Sequence, residues 1–464
     1  MARRSVRSLA ILLGACALLA VLSDAAGASN VATGLQDEGR DLQVPTWLYL
    51  FTGGAAVGAS ALLAMFVTDR RWVDRLHRES YEVSIRSATM RRLRIATGAL
   101  AVALLGLIVY TGFTGPRLAN ANLAVLVVFV GGRAGLVMVA YLLANPWPAI
   151  DPWRTLARVL PSGVVEYPER FGIWPAVCGL LVVLWVEIVV PVNTAPTVLA
   201  IAALAYGVYT LAGAVVFSPR TWFTYCDPVS VLFRFFGAVA PIQRTSEGFE
   251  VVLPGARLRD AGPIEGLDGV AFVLLLVWEL TYSAFIVTPP GIATVETLVG
   301  VGLPPLAVYL GLLLAGYGLF LGSYWLATRY AKRLAETYVT AEWLAIRFAP
   351  PLLAIAAGYH LAHFFTFFVS LSPSLALALA SPLSPPLPPL TLVLPVWFGL
   401  LDVAFILAGH LLAVWAAHAI SFDVFPGRLQ AIRSQYPFVA VMVLYTMASL
   451  WLVSMPTADA AFVG

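Results

Sequence analysis

The sequence predicts an all-α protein, a polytopic transmembrane helix bundle of about ten membrane-spanning helices. Three observations predict it. Hydrophobic residues make up 60% of the 464 positions and charged residues only 11%, a balance outside that of soluble domains. After an N-terminal segment, ten apolar stretches are each long enough to cross a hydrocarbon core of ~30 Å. Finally, 21 of the 28 Lys and Arg residues fall in alternate connecting loops, whereas only Arg40 and Arg117 fall in the tail and loops between them. Cytoplasmic loops carry such an excess, so the pattern implies an even number of spans with both mature termini outside.

The elements follow in chain order. Residues 1–28 combine Arg3, Arg4 and Arg7, an apolar run from Leu9 to Leu22 and the small residues Ala26, Gly27 and Ala28. This is the layout of a secretory signal peptide cleaved before Ser29, with an uncleaved anchor as the alternative. Residues 29–45 form an extracellular tail. Spans are expected at 46–68, 95–114, 121–144, 172–191, 196–217, 269–288, 303–327, 346–371, 392–418 and 436–455, within a transmembrane domain of 46–455. The cytoplasmic loops are then 69–94, 145–171, 218–268, 328–345 and 419–435, and residues 456–464 are an extracellular tail.

The loop 69–94 is the most basic, with Arg70, Arg71, Arg75, Arg78, Arg86, Arg91, Arg92 and Arg94. It reads as a headgroup-facing segment or topology determinant, with no nucleic acid as partner. In 218–268 the apolar run Val229 to Ala240 reads as surface-bound. The uncharged stretch 372–391, rich in Pro and Ser, reads as an extended cap. GxxxG patterns at Gly54 and Gly58, and at Gly318 and Gly322, point to close helix packing. Ten spans could divide into two inverted halves, but no internal repeat supports that division.

Cys16, Cys178 and Cys226 form neither a disulfide framework nor a CxxC pair. Walker A, GxGxxG and GxSxG patterns are absent, which removes the plainest nucleotide-binding and serine-hydrolase readings.

Ionisable residues inside spans are costly unless paired or wetted. Here they are Arg133, Glu187, Glu279, His360, His363, Asp402 and His410. At ~1.5 Å per residue all lie roughly 12 to 24 Å from the cytoplasmic ends of their spans, one mid-membrane slab. Arg133 is expected to pair with Glu187 or Glu279, or else to bind or orient an anion in a wet cavity. His360 and His363, three residues apart, share a helix face with spacing suited to one metal ion. Asp402 on the next span matches His363 in depth, and His410 is a looser match to His360. Three readings stay open for this group: structural hydrogen bonding, ligation of a divalent metal by His360, His363 and His410, and haem ligation or proton relay. His418 reads as an interfacial residue.

Several stretches resemble one family, the multipass membrane proteins known as fenitrothion hydrolases. They are LQVPTWLYLF, the run NPWPAIDPWRTLARVL from Asn145, YPERFGIWPAV, APPLLAIAAGYHLAHFF and AIRSQYPFVAVMVLYTMASLWL. Together they reach from about residue 42 to 455. The chain departs from the family at Ser283, where an acidic residue is expected after Tyr282. The resemblance implies hydrolysis of an organophosphorus triester. Such chemistry needs an activated water and stabilised phosphoryl charge, for which Asp402 and Arg133 are the candidate catalytic residues beside a His-bound metal.

Three functions therefore compete: a membrane-embedded metal-dependent hydrolase of an apolar ester, a transporter or ion-coupled carrier, and a haem or copper redox module. The expected location is the cell membrane. The expected partners are the lipid bilayer and a small apolar molecule; oligomeric state is not encoded legibly.

Overall fold

A hydrocarbon layer offers the backbone no hydrogen-bonding partner, so a chain this apolar has to satisfy its amides within helices. The computed structural model describes residues 46–66, 80–84, 87–246, 248–260, 264–395 and 397–463. The signal segment 1–28, the tail 29–45 and Arg70, Arg71, Arg75, Arg78 and Arg86 lie outside the described residues. Helices dominate, and they occur at all ten expected positions: α1 (Thr46–Phe66), α2 (Ser87–Thr114), α3 (Leu123–Leu142), α6 (Trp174–Val189), α7 (Pro196–Phe217), α9 (Leu267–Phe285), α11 (Pro305–Leu334), α13 (Leu352–Ala380), α14 (Phe398–Val424) and α15 (Arg428–Val453). Among the described residues, eight spans are long and apolar enough to cross a membrane, the one containing α13 beginning at Ala341. In α1 the apolar part is Phe51–Phe66, and α6 has only 16 residues, about 24 Å of helix. The protein is an integral membrane helical bundle.

Proline opens α7 and α11 at their first helical position, where its missing N–H costs nothing. Between spans lie the short helices α4 (Trp147–Ile150), α5 (Pro152–Ala157), α8 (Pro228–Gly237), α10 (Pro289–Gly300) and α12 (Ala341–Phe348). Of the spans, α9 and α13 are the most enclosed and α2 the least. The bundle is thus built around α13, which packs on α3, α9 and α14.

Four features differ from the sequence expectation. First, the all-α bundle carries a small sheet in its loops: β1 (Ser80–Ser84), β2 (Ile242–Arg244) and β3 (Gly248–Val252) form an antiparallel sheet in the order β1-β3-β2, with Ser80 opposite Val252. It joins the two most basic loops. Second, the run Val229 to Ala240 is no surface segment. Val231, Phe233, Phe235 and Phe236 are buried in the main core, and α8 packs on α3 and α6. Third, α13 continues through Pro373 to Ala380, so much of the expected cap is helix. The chain after it folds back, its Leu390 and Leu392 carbonyls accepting from the Ser374 and Ser370 hydroxyls. Fourth, His418 is fully buried rather than interfacial, its Nδ1 donating to Gln435 Oε1 at 3.2 Å.

The glycine pairs also divide. Nothing lies within 4 Å of a Cβ built on Gly318 or Gly322, whereas Gly54 faces the Met447 side chain at 2.9 Å. Two spans do approach closely at Gly358 on α13 and Gly409 on α14, outside any GxxxG pattern. A Cβ on Gly358 would stand 2.6 Å from the Phe405 carbonyl oxygen.

Candidate functional site

Residues Leu126–Leu136 of α3 wind as a π-helix. Hydrogen bonds from residue i to i+5 widen the turn, a geometry found frequently at functional sites. The widened stretch contains Gly131, Gly132 and Gly135 and projects Arg133 into the bundle. Arg133 Nε donates to Glu187 of α6 at 2.9 Å, and Nη2 donates to both carboxylate oxygens of Glu279 on α9, at 3.1 and 3.3 Å. The expected pair is therefore a triad in which one guanidinium holds two carboxylates. Glu279 is 5% exposed, Arg133 18% and Glu187 23%. Glu187 thus marks the more open edge.

From the other side α13 supplies an aromatic floor. The Arg133 guanidinium lies 5.1 Å from the centroid of the Phe364 ring, against which His360 stacks at 4.6 Å. His360 Nε2 is 2.9 Å from the Arg133 carbonyl oxygen, and its Nδ1 is 3.1 Å from the Tyr141 hydroxyl. A carbonyl only accepts, so Nε2 donates; Nδ1 is then the acceptor for the Tyr141 O–H. Both ring nitrogens of His360 are engaged, and metal ligation there would break the bond to Tyr141. His360 instead fixes the backbone that carries Arg133.

The remaining candidates sit apart from that arrangement to different degrees. His363 is buried one turn along α13 and flanks Phe364, with ring centroids 5.9 Å apart. Asp402 and His410 are fully buried on α14. His410 Nδ1 donates to the Ile406 carbonyl of its own helix at 2.8 Å, which leaves Nε2 as the lone-pair nitrogen, buried and without a hydrogen-bond partner. Among the described residues, no three of His, Cys, Asp and Glu converge as a metal-binding group. The structure does not bring His360, His363 and His410 into one ligand set.

Sequence reasoning also passed over a polar cluster at the basic end of the bundle. The octet Asp151-Pro152-Trp153-Arg154-Thr155-Leu156-Ala157-Arg158 matches Asp227-Pro228-Val229-Ser230-Val231-Leu232-Phe233-Arg234 as DPxxxLxR. Each copy follows a span, α3 and α7 respectively. In each the Asp caps a short helix: Asp151 accepts from Arg154 N at 2.9 Å, and Asp227 from Ser230 N at 2.7 Å. The copies lie together, since Arg154 Nη2 and Trp147 Nε1 both reach Ser230 Oγ, at 3.4 and 3.2 Å, and Trp147 stacks on Phe233. Arg154 pairs with Asp151 at 3.4 Å, and the Tyr206 hydroxyl donates to Asp227. Burial pushes both carboxyls up, that of Asp151 to about 6. The repeated octet was the signal that could have located this cluster.

Fold and site together define an integral membrane helical bundle with a charged triad in its interior. No family model, curated protein or solved structure matches the chain.

Proposed function

We propose that the protein is an ion-coupled membrane carrier whose coupling ion, a proton, is taken up at the Arg133–Glu187–Glu279 triad. The observation that supports this reading is the count of charges: two carboxylates meet one guanidinium. With both ionised the triad sums to −1, and within a hydrocarbon layer a further positive charge completes it. Glu187, the more exposed partner, is the entry point, and the π-helical turn of α3 is the element whose rewinding shifts Arg133 between partners. The test is proton uptake into dye-loaded proteoliposomes under an imposed negative-inside potential. Uptake above that of protein-free liposomes is expected for the parent and for Glu296→Gln, which alters an exposed residue of α10, and its loss in Glu279→Gln. Equal uptake by parent and Glu279→Gln, or none by the parent, would overturn the proposal.

One observation favours a second reading, the metal-dependent ester hydrolase that the family resemblance implies. His410 Nε2 is buried, partnerless and held in the tautomer that ligates metals. On this reading His410 supplies a ligand to a divalent metal, and Arg133 stabilises phosphoryl charge. Stoichiometric metal in protein purified without chelator, together with release of 4-nitrophenol from an apolar phosphotriester, both lost in His410→Ala, would support it. Metal-free protein inert toward the ester would dismiss it.

A further inference from the structure

At the basic end of the bundle α11 outruns its expected span, which closes near residue 327, and continues to Leu334. The extra turns carry Arg329, Lys332 and Arg333, whose spacing of three and four residues places them on one face. Beyond them the chain reverses at Glu336, whose φ of 48° is in the left-handed region, and the amide of Glu336 bonds back to the Arg333 carbonyl at 3.1 Å. With Thr337 and Tyr338 the three cations line an open surface cavity of about 580 Å³. That is within the ~300–1,000 Å³ of small-ligand pockets.

We propose that this cavity binds the phosphate headgroup of an anionic phospholipid. The lining holds three cations against one acid, Glu336, and Arg433 stands 3.9 Å from that acid. The positive charge is therefore in surplus and calls for an anion. Arg329 lies over the Trp325 ring at 5.7 Å and Arg333 over the Tyr330 ring at 5.8 Å, so both guanidiniums are held along the helix where its apolar surface ends. Tyr330, Tyr338 and Trp343 on this stretch of the chain are all exposed. Exposed Tyr and Trp mark the headgroup layer of a bilayer, and basic pockets there take anionic headgroups. This placement favours a lipid phosphodiester over phosphate free in solution, because the acyl chains would lie along the apolar surface of α11 while the phosphate meets the cations.

The test is native mass spectrometry of the full chain released from detergent containing equal phosphatidylglycerol and phosphatidylcholine. The parent is expected to retain phosphatidylglycerol on the order of tenfold over phosphatidylcholine, and the triple variant Arg329→Gln, Lys332→Gln, Arg333→Gln to lose that preference. A control triple variant, Arg170→Gln, Arg220→Gln, Arg244→Gln, which changes exposed cations outside the lining, keeps it. The charge-preserving pair Arg329→Lys, Arg333→Lys guards against misfolding and retains the preference as well. Three results would overturn the proposal: equal retention of the two lipids by the parent, equal loss in both triple variants, or displacement of the lipid by millimolar inorganic phosphate. The last would reassign the cavity to a soluble anion.

Discussion

Gly358 and Gly409 meet where α13 crosses α14, and a Cβ on either would stand 2.6 Å from a backbone carbonyl oxygen of the facing helix, that of Phe405 or Ala354. Backbone cannot swing aside as a side chain can, so the two spans would have to separate. Gly358→Ala should cost about 1–3 kcal/mol of stability, read as a lowered melting temperature in detergent. Gly318→Ala, with nothing within 4 Å of its added Cβ, should leave the melt unchanged or raise it. Equal melts for the two variants would show that the crossing is looser than described.

The triad makes a second prediction. Arg133→Ala leaves Glu187 and Glu279 facing each other without their cation, and breaking a buried pair in this way costs roughly 3–5 kcal/mol. Folded, monodisperse yield should fall sharply. Adding Glu279→Gln should restore part of it, because Glu279 is the more deeply buried partner. A double variant as poor as Arg133→Ala alone would mean that Arg133 acts through something other than charge.

A third concerns pH. Burial first, with the nearby Asp227 adding to it, raises the Asp151 carboxyl from 3.8 to about 6. Between those values the folded protein binds more protons than the unfolded chain, so this residue's contribution to stability declines as pH rises from about 4 to 6. At about 1.36 kcal/mol per unit the whole effect is about 3 kcal/mol. Asp151→Asn retains an oxygen able to cap α5 and removes the titration. Melting curves from pH 4.5 to 7.5 should therefore be flatter for the variant than for the parent, and parallel curves would contradict the assignment.

Sidedness gives the fourth. Single cysteines replacing Arg86 and Arg257 should resist an impermeant thiol reagent in intact cells, and one replacing Ser384 should react, because 21 of 28 basic residues lie on the first side. Labelling at Arg86 or Arg257 would invert the bundle.

The parts of this molecule that could be read from its sequence are those where the bilayer punishes the alternative. A lone Arg133 in hydrocarbon demanded an acid, and Glu187 and Glu279 lay at suitable depth, so their association was legible before any coordinates. The π-helical turn was not, because changing the hydrogen-bond step from four residues to five leaves composition and hydropathy untouched. Tyr141 escaped notice for a related reason: one tyrosine among 17 carries no signal until its hydroxyl is seen 3.1 Å from His360 Nδ1. The pair His360 and His363 was read for its shared face, but spacing on one helix says nothing about whether neighbouring helices have already claimed the ring nitrogens. The GxxxG pattern misled at Gly318 and Gly322 because it reports capacity for close approach, while a partner helix determines whether that capacity is used.

The small sheet has a consequence for biosynthesis. Strand β1 leaves the ribosome before α2, but β3, to which Ser80–Ser84 bond, is made only after α2, α3, α6 and α7. Until then the amides and carbonyls of β1 have no strand to join, and closure must wait for both hairpins to be inserted with their connecting ends on the same side. The pairing therefore depends on membrane insertion: were one of the four intervening spans left out of the bilayer, β1 and β3 would lie on opposite faces, and the sheet could not form.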